Sequence, residues 1–123
     1  MITYSRLKPN IAHLSMSGEI TADDYKQVRP KLEQAMNEVG VLNFLIEVMD
    51  VEKFTMGAAL QDLKFDFTHW SHVGKTAIIG NKQTHERMAN ALDILLMSKD
   101  VKYFEEENES SAKEWLNNKS NLH

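Results

Sequence analysis

The sequence predicts one mixed α/β domain spanning residues 1–123, in the order ββαβαβαβα, with a mostly parallel five-stranded sheet and helices packed on it. Three observations lead there. Ala12, Leu14 and Met16 alternate with His13, Ser15 and Ser17; Val41 to Met49 is nearly continuous apolar sequence; and the remaining strand-like runs are separated by segments of helical periodicity. A chain of 123 residues is within the usual range of a single domain.

The elements follow in order. Ile2 to Leu7 is rich in strand formers, and Lys8-Pro9-Asn10 supplies turn chemistry before the alternating run, so the chain opens with an antiparallel hairpin that Gly18 closes. Thr21-Ala22-Asp23-Asp24 has the form of a helix start, the Thr hydroxyl accepting from a free backbone N–H and Asp24 returning the bond. Tyr25, Val28, Leu32, Ala35, Met36 and Val39 then recur at helical spacing up to Gly40. Pro30 lacks an N–H and crowds the carbonyl four residues back, which predicts a kink or break near Arg29. Val41 to Met49, bounded by Gly40 and Asp50, has the pattern of a central parallel strand covered on both faces. Thr76-Ala77-Ile78-Ile79 and Val101-Lys102-Tyr103-Phe104 are two further short strands. Met56–Trp70, Gln83–Met97 and Ser110–Leu116 are the helices between and after them. Parallel strands need such crossovers.

Composition removes several function classes. Lys and Arg number 14 against 18 Asp and Glu, a formal charge of −4, which offers no basic footprint for nucleic acid. With no cysteine, disulfides, thiolate nucleophiles and Cys-containing metal sites are excluded. No apolar run approaches the roughly 20 residues of a membrane-spanning helix. Met1 to Asn10 has no signal-peptide core, so a cytoplasmic protein is expected.

Catalytic and metal signatures are missing. His85-Glu86 begins like a zinc-protease helix motif, but Ala89 stands where the second His belongs. His69 and His72 share a spacing without an obvious third ligand. Lys75 follows Gly74 without phosphate-loop spacing, and no Ser lies in a Gly-x-Ser-x-Gly elbow. The run Glu105, Glu106, Glu107 and Glu109 suits a solvated helix entry. No catalytic residue, metal ligand or cofactor is assigned.

The apolar helices carry more information. Met56, Leu60, Leu63, Phe67 and Trp70 advance by three and four residues and form one stripe, with Phe65 on another side. Met88, Ala91, Leu92 and Leu95 make a row in the next helix. One reading packs these faces into the core. The other encloses a pocket for a small apolar or amphiphilic ligand between the two helices and the sheet, lined by Met56, Leu60, Leu63, Phe67, Trp70, Met88, Leu92 and Leu95. His69, His72 or Lys75 would meet a head group. In that reading Phe65 and Trp70 contact a membrane, at the inner surface, or a partner when a helix swings outward. A homodimer or other protein interface through the same faces is the rival reading.

The order of elements and several local patterns resemble the SpoIIAA-like family, whose fold is related to STAS domains and compared with the lipid-binding CRAL-TRIO fold. The resemblance is carried by Leu14 to Ile20 running into Thr21-Ala22-Asp23-Asp24-Tyr25, by Phe44-Leu45-Ile46-Glu47-Val48, by Thr76-Ala77-Ile78-Ile79-Gly80, and by Val101-Lys102-Tyr103-Phe104 leading to Ala112-Lys113-Glu114-Trp115-Leu116. It implies a noncatalytic domain, with ligand binding and membrane association through movable helices. In STAS proteins that antagonise anti-sigma factors, the turn after the central strand carries an Asp-Ser pair whose serine is phosphorylated. Here the corresponding stretch, Asp50-Val51-Glu52-Lys53-Phe54-Thr55-Met56-Gly57, has no Ser. Thr55, its one hydroxyl, is expected to cap the next helix. The phosphoswitch and its sigma-factor partner are therefore not carried over. The two functional expectations are a small-ligand-binding domain and, as its alternative, a STAS-like interaction or regulatory module.

Overall fold

The computed structural model describes residues 1–55, 57–69, 71–87 and 100–117. Its strands are β1 (Ile2–Lys8), β2 (Ile11–Thr21), β3 (Leu42–Thr55), β4 (Val73–Gly80) and β5 (Val101–Glu105). Its helices are α1 (Ala22–Val39), α2 (Ala59–His69), α3 (Lys82–Arg87) and α4 (Glu109–Asn117), the last preceded by a single 3₁₀ turn at Glu106–Asn108. The five strands lie in sequential order β1-β2-β3-β4-β5. β1 is antiparallel to β2, and every other neighbouring pair is parallel. The expected topology and the central place of β3 are those observed.

Each face of the sheet has its own core. On one face Ala12, Leu14 and Ile20 of β2, Phe44, Ile46 and Val48 of β3 and Ile78 of β4 pack with Tyr25, Val28, Leu32, Ala35 and Met36 of α1 and with Ala59 and Leu63 of α2. On the other, Ile11, Leu45, Ala77 and Ile79 pack with Ala112 and Leu116 of α4, and Phe104 and Trp115 close the edge. Successive β3 residues thus enter opposite cores, which is why the run from Val41 to Met49 is apolar but for Asn43 and Glu47.

β3 runs six residues past the predicted end because its pleat is reset by two bulges. Ser15 pairs with Glu47 but Ser17 with Asp50, and Gly18 pairs with Val51 but Glu19 with Lys53, so β3 gains one residue on β2 at each step. Core residues on the α1 face therefore run 44, 46, 48 and then 51, with Phe54 packed against the same cluster. Gly18 does not close β2, as the turn chemistry suggested. It sits inside the strand at φ 63°, next to the second register shift.

α1 starts as predicted. Thr21 Oγ1 accepts from the Asp24 N–H while the Asp24 carboxylate accepts from the Thr21 N–H at 2.8 Å, a reciprocal capping box. The helix then passes through Pro30 without the expected break. Pro30 and Lys26 lie on the exposed side, so the Lys26 carbonyl that loses its helical donor faces water, which limits the cost. α2 begins at Ala59, three residues later than its apolar pattern suggested, after a turn in which Gly57 has φ 56°.

Candidate functional site

The side chains proposed from sequence as a pocket lining meet different fates. Leu63 is buried in the core shared by α1, α2 and the sheet. Leu60 and Phe67 belong to α2. Met56, Trp70, Met88, Leu92 and Leu95 lie outside the described residues, as does most of the predicted Gln83–Met97 helix. Phe65, which the spacing sets apart from the apolar stripe, is 59% exposed.

α2 is oriented by a buried polar cluster that the periodicity did not announce. Asp66, 2% exposed, accepts hydrogen bonds from the Tyr25 hydroxyl and from Arg29 Nη2, the latter at 3.0 Å. Tyr25 and Arg29 are four residues apart and share one face of α1. Burial first, then the bond to Asp66 and its charge, raise the Tyr25 hydroxyl above its ordinary value of 10.0 and keep it a donor. The signal was present in sequence: Asp66 follows Leu63 by three residues, so a carboxylate occupies a position of the inward stripe. With Asp66 inward, α2 presents Gln61, Asp62 and Phe65 to solvent, in line with exposed Ala58 just before its first turn. Residues 58, 61, 62 and 65 make one helical face.

Other polar candidates are engaged elsewhere. Thr55 does not cap α2; it ends β3, and its hydroxyl donates to Glu19 Oε2 at 2.8 Å. Lys75 is not beside α2, contrary to the head-group expectation: its Nζ donates to the Trp115 carbonyl at 3.2 Å and lies 5.3 Å from the Trp115 ring centroid, against α4 on the opposite face. Lys102 stands 5.5 Å from the same ring. His72 is exposed. His85 packs edge-on against Tyr103 with 5.1 Å between ring centroids. On the α4 side of the sheet, His13 Nε2 and Glu47 Oε1 are 2.8 Å apart in a pair that bridges β2 and β3. Among the described residues no three His, Asp or Glu side chains are grouped to hold a metal ion, and no helix is long and apolar enough to cross a membrane.

Among the described residues, an open, mostly parallel sheet with an antiparallel edge strand, α1 and α2 on one face and α4 on the other defines an α/β domain of the STAS-like class. The chain belongs to the SpoIIAA-like family, whose sequence model matches residues 11–117. Among solved structures it is similar to an uncharacterized protein of the DUF3478 family with a SpoIIAA-like fold from Shewanella loihica PV-4, at 27% identity and a TM-score of 0.66, over 94% of this chain and 92% of that one. It is also similar to the unphosphorylated anti-sigma factor antagonist SpoIIAA, at 10% identity and a TM-score of 0.61, over 96% of this chain and 100% of the other. The phosphorylated form of the Bacillus cell fate determinant SpoIIAA aligns at 12% identity and a TM-score of 0.58, over 90% and 97% of the two chains. Comparison with curated proteins finds no match. These last two structural likenesses concern the fold alone.

Proposed function

We propose that this chain is a noncatalytic protein-interaction module in which α2 is the contact element. The observation that carries the reading is Phe65, a large apolar side chain 59% exposed on a helix whose opposite side is fixed by the buried Asp66 cluster. An aromatic ring presented on a rigid element suits a protein interface, because little ordering remains to be done on binding. The family resemblance agrees with it, since SpoIIAA is an anti-sigma factor antagonist. The phosphate of the phosphorylated SpoIIAA has no counterpart in this reading: the stretch Asp50–Gly57 contains no serine, and Thr55 is held by Glu19.

The competing role is a carrier of a small apolar or amphiphilic molecule, with peripheral membrane contact through Phe65 and Trp70. Leu63 argues against an open pocket at its own position, since it is part of the closed core. Native mass spectrometry of the gently purified chain, beside its organic extract, separates the two readings. The interaction module is expected to fly at the mass of the bare polypeptide or of a protein complex. A stoichiometric amphiphile, lost on denaturation and reduced by Leu60→Trp or Leu92→Trp, would overturn it in favour of the carrier.

A further inference from the structure

β1 is the antiparallel edge of the sheet, and its outward groups can be assigned. Met1 and Ser17 exchange both bonds of a ladder pair: the Ser17 N–H donates to the Met1 carbonyl at 3.0 Å, and the Met1 amino group donates to the Ser17 carbonyl at 2.8 Å. Bonded pairs alternate along an antiparallel ladder, so Thr3 with Ser15 and Ser5 with His13 are the next two. Ile2, Tyr4 and Arg6 therefore turn their N–H and C=O groups away from β2. Among the described residues no other strand pairs with this edge.

A cavity of about 200 Å³ lies beside that edge, between β1 and α1, lined by Tyr4, Arg6, Lys31, Gln34, Ala35 and Glu38. Arg6 donates to Glu38 Oε1 at 2.7 Å and to the Ala35 carbonyl at 3.3 Å. Lys31 forms no ion pair among the described residues. The lining thus holds two cations, Arg6 and Lys31, against one carboxylate, Glu38.

We propose that this edge and groove bind an extended acidic segment of a partner protein as a sixth strand. Its backbone bonds to Ile2, Tyr4 and Arg6, and every second side chain lies over the groove. An Asp or Glu there neutralises Lys31 and shares Arg6 with Glu38, giving charge-assisted bonds that a neutral side chain does not. A second copy of β1 is disfavoured in the same place, because it sets the Arg6 and Lys31 charges of two chains against each other along one groove. This surface is separate from Phe65 on α2 and stands or falls independently of it.

The test is selection of a displayed random-peptide library on the full chain, then fluorescence-anisotropy titration of the enriched peptides and amide NMR of the complexes. Enriched peptides are expected to carry Asp or Glu at alternate positions and to shift the amides of Ile2, Tyr4 and Arg6. Lys31→Glu, on the exposed side of α1, should weaken them about tenfold or more. The proposal is overturned by an absence of enrichment, by peptides without alternating acids, by unchanged affinity in Lys31→Glu, or by shifts confined to α2. Light scattering that shows the chain alone dimerising, with Lys31→Glu altering the dimer, would give the edge to a second copy and equally overturn it.

Discussion

Replacing Asp66 with Asn changes almost no volume yet removes the charge on which Tyr25 and Arg29 converge. Hydrogen bonds to a charged group contribute about 1.5–3 kcal/mol each, against about 0.5–1.5 kcal/mol for neutral ones. The substituted amide can accept from Arg29 and donate to the Tyr25 oxygen, so both contacts survive in weakened form. A loss of about 1 kcal/mol per contact gives about 2 kcal/mol in total. Arg29 is 43% exposed at its side chain, so water screens its share and the sum is an upper figure. Urea unfolding reads this directly: with a slope of about 2 kcal/mol per molar, the midpoint falls by up to about 1 M at constant slope. Combining Asp66→Asn with Tyr25→Phe should show coupling of about 1 kcal/mol. A single-variant loss below about 0.5 kcal/mol, or strictly additive losses, would refute the assignment of this cluster as the fixture that orients α2.

Three further expectations use other parts of the fold. Tyr25 has its hydroxyl raised above 10.0 by burial and by Asp66, so its contribution is full below pH 10.0 and declines as pH rises beyond it; alkaline unfolding curves of Tyr25→Phe should be flatter there than those of the wild type. Although burial raises the Asp24 carboxyl, bonds from the Thr21 amide and hydroxyl and the Met1 ammonium outweigh it and hold the group below 3.8. Its stabilisation is present above pH 3.8 and lost as pH falls through the lower folded value, so Thr21→Ala should cost about 1 kcal/mol near neutrality and less in acid, as followed by circular dichroism. Gly18→Ala places a methyl group where nothing lies within 4 Å, but at φ 63°, and conformational strain alone should cost about 1–2 kcal/mol in thermal unfolding.

Legibility in the sequence followed how regular each pattern stayed. Alternation in β2 and the nearly continuous apolar run of β3 reported sheet geometry directly, because side chains on one strand enter two cores by turns. The same logic failed past Val48, where two bulges in β3, one between Glu47 and Asp50 and one between Val51 and Lys53, reset the alternation and made strand residues resemble a loop. Gly18 looked like a terminator for a related reason: a glycine inside a strand at positive φ carries the same letter as one in a turn. Pro30 was overweighted because its exposure, which sets the cost of the missing bond, is not written in local sequence. The candidate site was legible only in part. Phe65 stood off the apolar stripe by spacing, but the partnership of Asp66 with Tyr25 and Arg29 joins residues 41 and 37 positions apart. The odd features that marked the polar pairs were Asp66 on an inward stripe and Glu47 inside an apolar strand.

The most direct test of the interaction reading places a photo-crosslinking amino acid at position 65, and separately at exposed position 33 on α1 as the control, in cells that supply the protein's natural surroundings. The account predicts a discrete protein adduct from position 65, absent from position 33, whose reconstituted binding to the chain is lost in Phe65→Asp while the unfolding midpoint stays unchanged. Crosslinking from position 65 to lipid alone, or a protein adduct whose binding Phe65→Asp leaves intact, would contradict it.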